Sequence, residues 1–178
     1  FGIKYIILSP HQDQAVRPLV PPTETWIGVD NGEIDTSIPY RWLDRDAAGK
    51  RIAGRSIDIF FYHGGLSRSV GFEHLLRDAG TFAARVEEAF GGHNGRTVQL
   101  VSLATDGETY GHHEKFGDMG LAYLLNIEAP RRGIEVTTFG AFLAKHQPAM
   151  EVELKEGPNG EGTAWSCAHG VGRWARNC

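Results

Sequence analysis

Short apolar runs with strand character alternate along the chain with longer segments whose apolar residues recur at helical spacing. Runs rich in β-branched and aromatic residues are typical of buried strands, and they predict strands over residues 3–8, 57–62, 97–105 and 134–138. Apolar residues three and four positions apart are typical of amphipathic helices, and they predict helices over residues 70–90, 116–129 and 139–146. The order of these elements, strand then helix repeated, predicts an α/β domain with a parallel sheet.

The domain organisation follows from length and composition. With 178 residues the chain is long enough for one buried core, so we expect one α/β domain over residues 1–178. Residues 18–54 are rich in Pro, Gly and Asp, and we expect them to form a long loop insertion. The chemistry of such folds lies in loops that follow the strands, which points to residues 9–12, 63–69 and 106–113.

Charge and cysteine content narrow the classes of partner. The chain has 18 basic and 22 acidic residues, a net charge of −4. This balance gives no excess of positive charge of the kind that binds nucleic acid or an anionic membrane. Neither an apolar run of membrane-spanning length nor a secretory signal is seen. Cys167 and Cys178 are too few for a disulfide framework, so a cytoplasmic protein is expected. The chain opens on Phe1 directly before a predicted strand, and we expect a fragment of a longer protein.

The densest polar cluster is Asp-Gly-Glu-Thr-Tyr-Gly-His-His, residues 106–113. It follows a predicted buried strand, so Asp106 would lie at the strand's C-terminal end. Cleavage of a glycosidic bond needs one protonated carboxyl group beside the leaving oxygen and a second carboxylate opposite it. Asp106 suits the first of these roles. Taken by themselves, however, acids on a turn are also typical of solvated loops and of hydrogen-bond anchors.

This cluster resembles a signature of glycoside hydrolase family 57, an Asp-Gly-Glu-x-Phe/Tyr-Gly pattern. Three more stretches resemble one branch of that family: Leu-Ser-Pro-His-Gln at 8–12 with Ala-Val-Arg-Pro at 15–18, Phe-Phe-Tyr-His-Gly-Gly-Leu-Ser-Arg at 60–68, and Trp-Ser-Cys-Ala-His-Gly-Val-Gly-Arg-Trp at 165–174. The resemblance spans nearly the whole chain.

The resemblance implies a fold, an activity and a set of residue roles. The family fold is a seven-stranded β/α barrel with parallel strands, of which the chain would be the C-terminal portion, and the family acts on α-glucans with retention of configuration. Asp106 matches the general acid/base, and Glu108, Tyr110 and His112 match positions that line the site. Nothing before Asp106 matches the motif of the nucleophilic glutamate. We therefore expect the nucleophile upstream in the same polypeptide, an inactive isolated chain, an oligo- or polysaccharide substrate and no cofactor.

Further candidates follow the other strands. His11 and Gln12 suit sugar hydroxyl groups, which need partners that donate and accept, and His63 occupies the equivalent place after the second strand. A loop histidine bonded to nearby backbone is the alternative for both histidines. The indole of Trp165 could stack on a sugar ring, with His169 beside it, although most tryptophans are core residues. Arg17 could bind substrate oxygens, but a solvated or structural ion pair is the favoured interpretation. The expected substrate-binding residues are His11, Gln12, His63, Glu108, Tyr110, His112, Trp165 and His169.

Two alternatives from other classes stay open. Asp106 with His11, His63 and His112 could serve a metal-dependent polysaccharide deacetylase or hydrolase. No Cys/His spacing matches a closed metal site, so no metal ligand is predicted. A non-catalytic carbohydrate-binding module, in which Asp106 only anchors a ligand, is the second alternative.

Overall fold

The computed structural model describes residues 2–91 and 97–177, which divide into two compact units. The sheet unit comprises Phe1–Phe61 and Leu143–Cys178, and the helical unit comprises Tyr62–Phe142. The expected sites are thereby divided: four of the nine lie in the sheet unit and five in the helical unit.

The sheet unit is built on a mixed sheet, six-stranded over the described residues, in the order β1-β5-β4-β6-β2-β3. Its strands are β1 Tyr5–Leu8, β2 Asp13–Pro18, β3 Ile27–Gly28, β4 Tyr40–Arg45, β5 Arg51–Phe61 and β6 Met150–Leu154. The β1–β5 and β4–β6 pairs are parallel. The β4–β5, β2–β6 and β2–β3 pairs are antiparallel.

The expected parallel seven-stranded β/α barrel is wrong, because this sheet is open and partly antiparallel. The difference arises largely within residues 18–54, expected as a loop, which contain β3, β4 and the first residues of β5. Consecutive strands joined by a short connection pair antiparallel, and β4 and β5 do so in register from Tyr40↔Ile59 to Leu43↔Ser56. Charged residues interrupt the apolar pattern of this hairpin, so its sequence predicts a loop and not a pair of strands.

The apolar core of the sheet unit gathers around the end of β5. Ile59 and Phe61 are fully buried and pack with Tyr40 and Val152 in one cluster with Ile34. The Tyr40 and Phe61 rings meet edge to face with centroids 5.6 Å apart, an orientation that aromatic quadrupoles favour. The predicted buried strand over residues 57–62 is therefore confirmed as the inner part of β5.

A buried ion cluster surrounds Glu151 of β6. The Oε2 atom accepts hydrogen bonds from Arg17 Nε at 2.9 Å and Arg51 Nη2 at 2.6 Å, and Oε1 accepts one from Arg45 Nη2 at 2.5 Å. Burial alone would raise the pKa of Glu151, but the hydrogen bonds from Arg17 and Arg45 outweigh it and lower that pKa. Arg17 also lies over the ring of Trp26 at 4.2 Å. The ion pair expected for Arg17 is thus confirmed, and it is a buried one.

Several short helices make up most of the helical unit. The helices are α1 Gly64–Phe72, α2 Ala79–Ala89, α3 Gly117–Tyr123, a π turn at Leu124–Glu128 and α4 Ala129–Arg131, with 3₁₀ turns at Leu75–Arg77 and Gly107–Thr109. Helix α5, Phe139–Lys145, begins in this unit and ends in the sheet unit. Their core comprises Leu66, Val70, Leu75, Leu76, Phe82, Ala83 and Leu124. The helix expected over residues 116–129 is confirmed in outline: helical structure starts one residue later, at Gly117, and continues through a π turn.

The single helix expected over residues 70–90 is broken in two. His74 has a left-handed backbone with φ 58°, and Asp78 caps a new helix by accepting a hydrogen bond from Thr81 N at 2.5 Å. Phe72, an apolar residue within the helix expected over residues 70–90, ends α1 and is 81% exposed. A capping aspartate is a recognisable signal, whereas a left-handed histidine leaves none in the sequence.

The strand expected over residues 97–105 is not formed. Its backbone is satisfied in other ways: Ser102 O accepts a hydrogen bond from His63 N at 2.8 Å, and Ala104 N donates one to Ser67 Oγ at 3.0 Å. The strand expected over residues 134–138 is likewise not formed. Within the described part of the chain, no helix has the length and apolarity needed to cross a membrane.

Candidate functional site

The turn that carries Asp106 is closed by its own backbone and by one side-chain bond. Thr109 N donates to Asp106 O at 3.0 Å, and His112 N and His113 N both donate to Glu108 O at 3.1 and 2.9 Å. The Tyr110 hydroxyl group lies 2.8 Å from Thr105 Oγ1, and its ring packs against the core of the helical unit. The turn is therefore a defined structure, and Tyr110 closes it.

Glu114 fastens the end of this turn to the 3₁₀ turn at Leu75–Arg77. Its carboxylate accepts a hydrogen bond from Arg77 Nε at 2.8 Å and lies 2.5 Å from His74 Nδ1, while its side chain is only 9% exposed. Hydrogen bonds from Arg77 and then His74 lower the pKa of Glu114 in spite of burial. Sequence reasoning missed Glu114, because its partners are 37 and 40 residues away.

The acidic and imidazole groups of the turn face solvent. Asp106, Glu108, His112 and His113 are all exposed. Asp106 occupies the position before the Gly107–Thr109 turn, yet its side chain makes no capping hydrogen bond there. The two imidazole rings contact each other edge to face at 4.9 Å. The carboxyl group of Asp106 is thus presented on a fixed backbone with solvent beside it.

His63 has a structural role in the same unit. It is the N-cap of α1, and its Nδ1 accepts a hydrogen bond from Leu66 N at 3.1 Å. An Nδ1 acceptor places the ring proton on Nε2. Nδ1 is thus bonded to nearby backbone, as the alternative interpretation of this histidine expected, and substrate binding by His63 stays a prediction.

In the sheet unit, Gln12 joins the loop after β1 to the C-terminal segment. Its Oε1 accepts a hydrogen bond from Ser9 N at 3.0 Å, and its Nε2 donates to Thr163 O and Thr163 Oγ1, both at 3.2 Å. The side chain is buried, whereas the adjacent His11 is exposed. Both amide protons are thus used within the chain, and Gln12 holds His11 and the Trp165 segment in one unit.

Trp165 and His169 lie on the loop that follows. Both are exposed, Trp165 by 66%, so the core interpretation of this indole is wrong. Cys167 Sγ lies 3.6 Å from His169 Nδ1. An exposed indole on the loop that also carries His169 suits contact with a ligand.

Close backbone packing at Gly170 shapes this loop. Gly170 has φ 61°, and a Cβ atom there would collide with Gly162 O and lie 3.3 Å from Pro158 Cδ. We expect Gly170→Ala to lower the free energy of unfolding by about 2–3 kcal/mol, from left-handed strain plus the collision. Gly160→Ala is the control, since Gly160 has φ 70° and open space, and it should cost about 1 kcal/mol. Urea denaturation measures both, and equal losses would contradict the collision.

Asp13, at the start of β2, is a buried acid that sequence reasoning missed. The residue is 0% exposed, and neither carboxyl oxygen has a hydrogen-bond partner in the described part of the chain. Burial raises the pKa of Asp13, and the nearby charges of Lys155 and His11 offset only part of that effect. Because Asp13 follows His11 and Gln12 directly, a perturbed acid adjoins two of the expected binding residues.

This acid predicts a specific pH dependence of stability. The folded-state pKa of Asp13 exceeds the ordinary value of 3.8. Its contribution to the free energy of unfolding is therefore fully present below pH 3.8 and is lost as pH rises through the folded-state pKa. We expect Asp13→Asn to raise the free energy of unfolding by about 1–3 kcal/mol at pH 7 and to change it little at pH 3. Urea denaturation at both pH values tests this. A variant less stable than wild type at pH 7 would show that the carboxylate has a stabilising partner.

Neither the ligand geometry nor the comparisons assign a class to these residues. Over residues 2–91 and 97–177, no group of three or more His, Cys, Asp or Glu side chains is arranged to hold a metal ion. No protein-family model matches the chain, and a search of curated proteins finds no match either. What the structure brings together is Asp106, Glu108, Tyr110 and His112 on one turn, and His11 and Gln12 with the Trp165 segment in the sheet unit.

Proposed function

We propose that the chain is part of a retaining glycoside hydrolase that acts on α-glucans, with Asp106 as general acid and then general base. The carboxyl group of Asp106 supports this best, since it is exposed on a turn that backbone hydrogen bonds, Tyr110 and Glu114 hold in place. A general acid must reach the glycosidic oxygen from a fixed position. The exposed carboxyl group of Asp106, carried on a turn that is held in place, supports this role.

The residue roles follow from what each group can do. Asp106 gives its proton to the leaving oxygen and then takes one from the water that releases the product. Glu108 and His112, on the same turn as Asp106, bind sugar hydroxyl groups. His63, His11, Trp165 and His169 are further sugar-binding residues, each within its own unit. Gln12 contributes by positioning His11, because its own amide is engaged with Ser9 and Thr163.

The second carboxylate belongs to the same proposal. A retaining mechanism needs a nucleophile about 5–5.5 Å from the acid/base, and we propose that this glutamate lies upstream in the same polypeptide. The low cysteine content supports a cytoplasmic location for that protein.

The test compares the full-length polypeptide with the isolated chain. Each is incubated with maltoheptaose, and the anomer formed first is followed by proton NMR. We expect the full-length protein to release the α-anomer and the isolated chain to release nothing. The β-anomer, or inertness of the full-length protein, would contradict the proposed activity. Turnover by the isolated chain would contradict the upstream nucleophile.

A further inference from the structure

A second residue of the helical unit has the properties of a ligand contact. Phe116 has a left-handed backbone, with φ 65° and ψ 14°, and its side chain is 61% exposed. Each feature is unfavourable for an aromatic residue, because a bulky side chain clashes with the left-handed backbone and an exposed ring leaves apolar surface in water. Strained residues of this kind concentrate at binding and catalytic sites.

Phe116 lies next to the turn that carries Asp106. The following residue, Gly117, packs so closely on this turn that a Cβ atom there would lie 3.3 Å from Thr109 O and 3.4 Å from Tyr110 Cα. Gly117 N also donates a hydrogen bond to Glu114 O at 2.9 Å. The backbone at Phe116 is therefore tied to both ends of the segment from Thr109 to Glu114.

We propose that the Phe116 ring is a stacking surface for one sugar ring of the glucan, beside the residue cleaved at Asp106. This rests on the proposed function and names a subsite of it. The apolar C–H face of a pyranose packs on an aromatic face. The Lys115 ammonium group lies over one face of the Phe116 ring, 5.0 Å from its centroid, so the sugar stacks on the opposite face.

The neighbouring exposed apolar residues lack this combination. Met119, Tyr123 and Ile127 are also exposed, as the outer side of the helix expected over residues 116–129. None of them has a positive φ, so each is in its place without backbone strain. Tyr123, an aromatic residue on the same helix that is 44% exposed, therefore provides a matched control.

The test measures KM and kcat of the full-length polypeptide for maltoheptaose, together with Tm. We expect Phe116→Leu to raise KM about 3- to 10-fold with kcat nearly unchanged, and Phe116→Tyr and Phe116→Trp to restore KM to within about 2-fold of wild type. Phe116→Gly should raise KM similarly and raise Tm by about 2–4 °C, since it removes the strain. Tyr123→Leu should leave KM unchanged.

The outcomes separate the two proposals. If wild type turns over maltoheptaose and Phe116→Leu has the KM of wild type, the stacking role is refuted and the proposed function stands. A lower Tm for Phe116→Gly would also refute it, because the ring would then be a structural contact. If wild type is inert on α-glucans, the proposed function fails and the stacking role fails with it.

Discussion

Asp106→Asn in the full-length polypeptide should lower kcat on maltoheptaose by about 10²- to 10⁴-fold and change KM little. Asparagine has nearly the same shape and keeps hydrogen bonds to the sugar, but it cannot give a proton to the glycosidic oxygen. The exposure of Asp106 and the absence of a side-chain cap at its turn mean that the fold does not need this carboxylate. Tm should therefore equal that of wild type.

A charge-matched control makes this loss specific. Asp118 is an exposed aspartate in the first turn of α3, in the same unit, and Asp118→Asn should keep kcat within about 2-fold of wild type. Steady-state kinetics on both variants, with maltoheptaose as the substrate, gives the comparison. A kcat for Asp106→Asn above about a tenth of wild type would rule out its role as general acid.

The second large effect concerns stability. Glu151→Ala should lower the free energy of unfolding by about 3–5 kcal/mol, because it leaves Arg17, which is 3% exposed, without its buried counter-charge. The guanidinium groups of Arg45 and Arg51 lose the same partner. Since the folded-state pKa of Glu151 lies below 4.5, its stabilising contribution is present above pH 4.5 and is lost as pH falls through the folded value.

Glu153 offers the control on the same strand. It lies two residues further along β6 and is exposed, so Glu153→Ala should change the free energy of unfolding by less than about 0.5 kcal/mol. Urea denaturation at pH 7 measures both variants. Similar small losses for the two would mean that the buried cluster contributes little, as happens where desolvation cancels the attraction between charges.

Some of the fold could be predicted because burial leaves a periodic signature. Strand β1 and the inner half of β5 are rich in apolar residues, and the two strands form a parallel pair. The start of α2 could have been found from Asp78, whose side chain caps it. The helix over residues 139–146 is confirmed as α5, with Ala141 N donating to Thr138 Oγ1 at 3.2 Å at its start.

Other parts could not be predicted, since their stability comes from contacts between residues distant in sequence. Three of the six residues of β4 are charged, and Arg41 is satisfied by partners distant in sequence: Asp58 of β5 at 2.7 and 3.0 Å and Gln147 at 3.2 Å. The order of the strands depends on contacts of this kind between distant residues. Short motifs that resemble those of a known family therefore did not reveal the antiparallel pairs of the sheet. The same limit applies to the site. The cluster around Asp106 is visible in the sequence, whereas Glu114 is recognisable only once Arg77 and His74 are seen beside it.

The central claim, that Asp106 is the acid/base of a retaining hydrolase, is tested most directly by changing the leaving group. Fluoride needs little protonation to leave, so Asp106→Asn in the full-length polypeptide should still form the glycosyl-enzyme from α-maltosyl fluoride but hydrolyse it slowly. We predict a burst of about one fluoride ion per protein molecule, followed by slow release, from a variant that is nearly inert on maltoheptaose. If Asp106→Asn instead loses both substrates equally and shows no burst, or cleaves both as fast as wild type, Asp106 is not the acid/base.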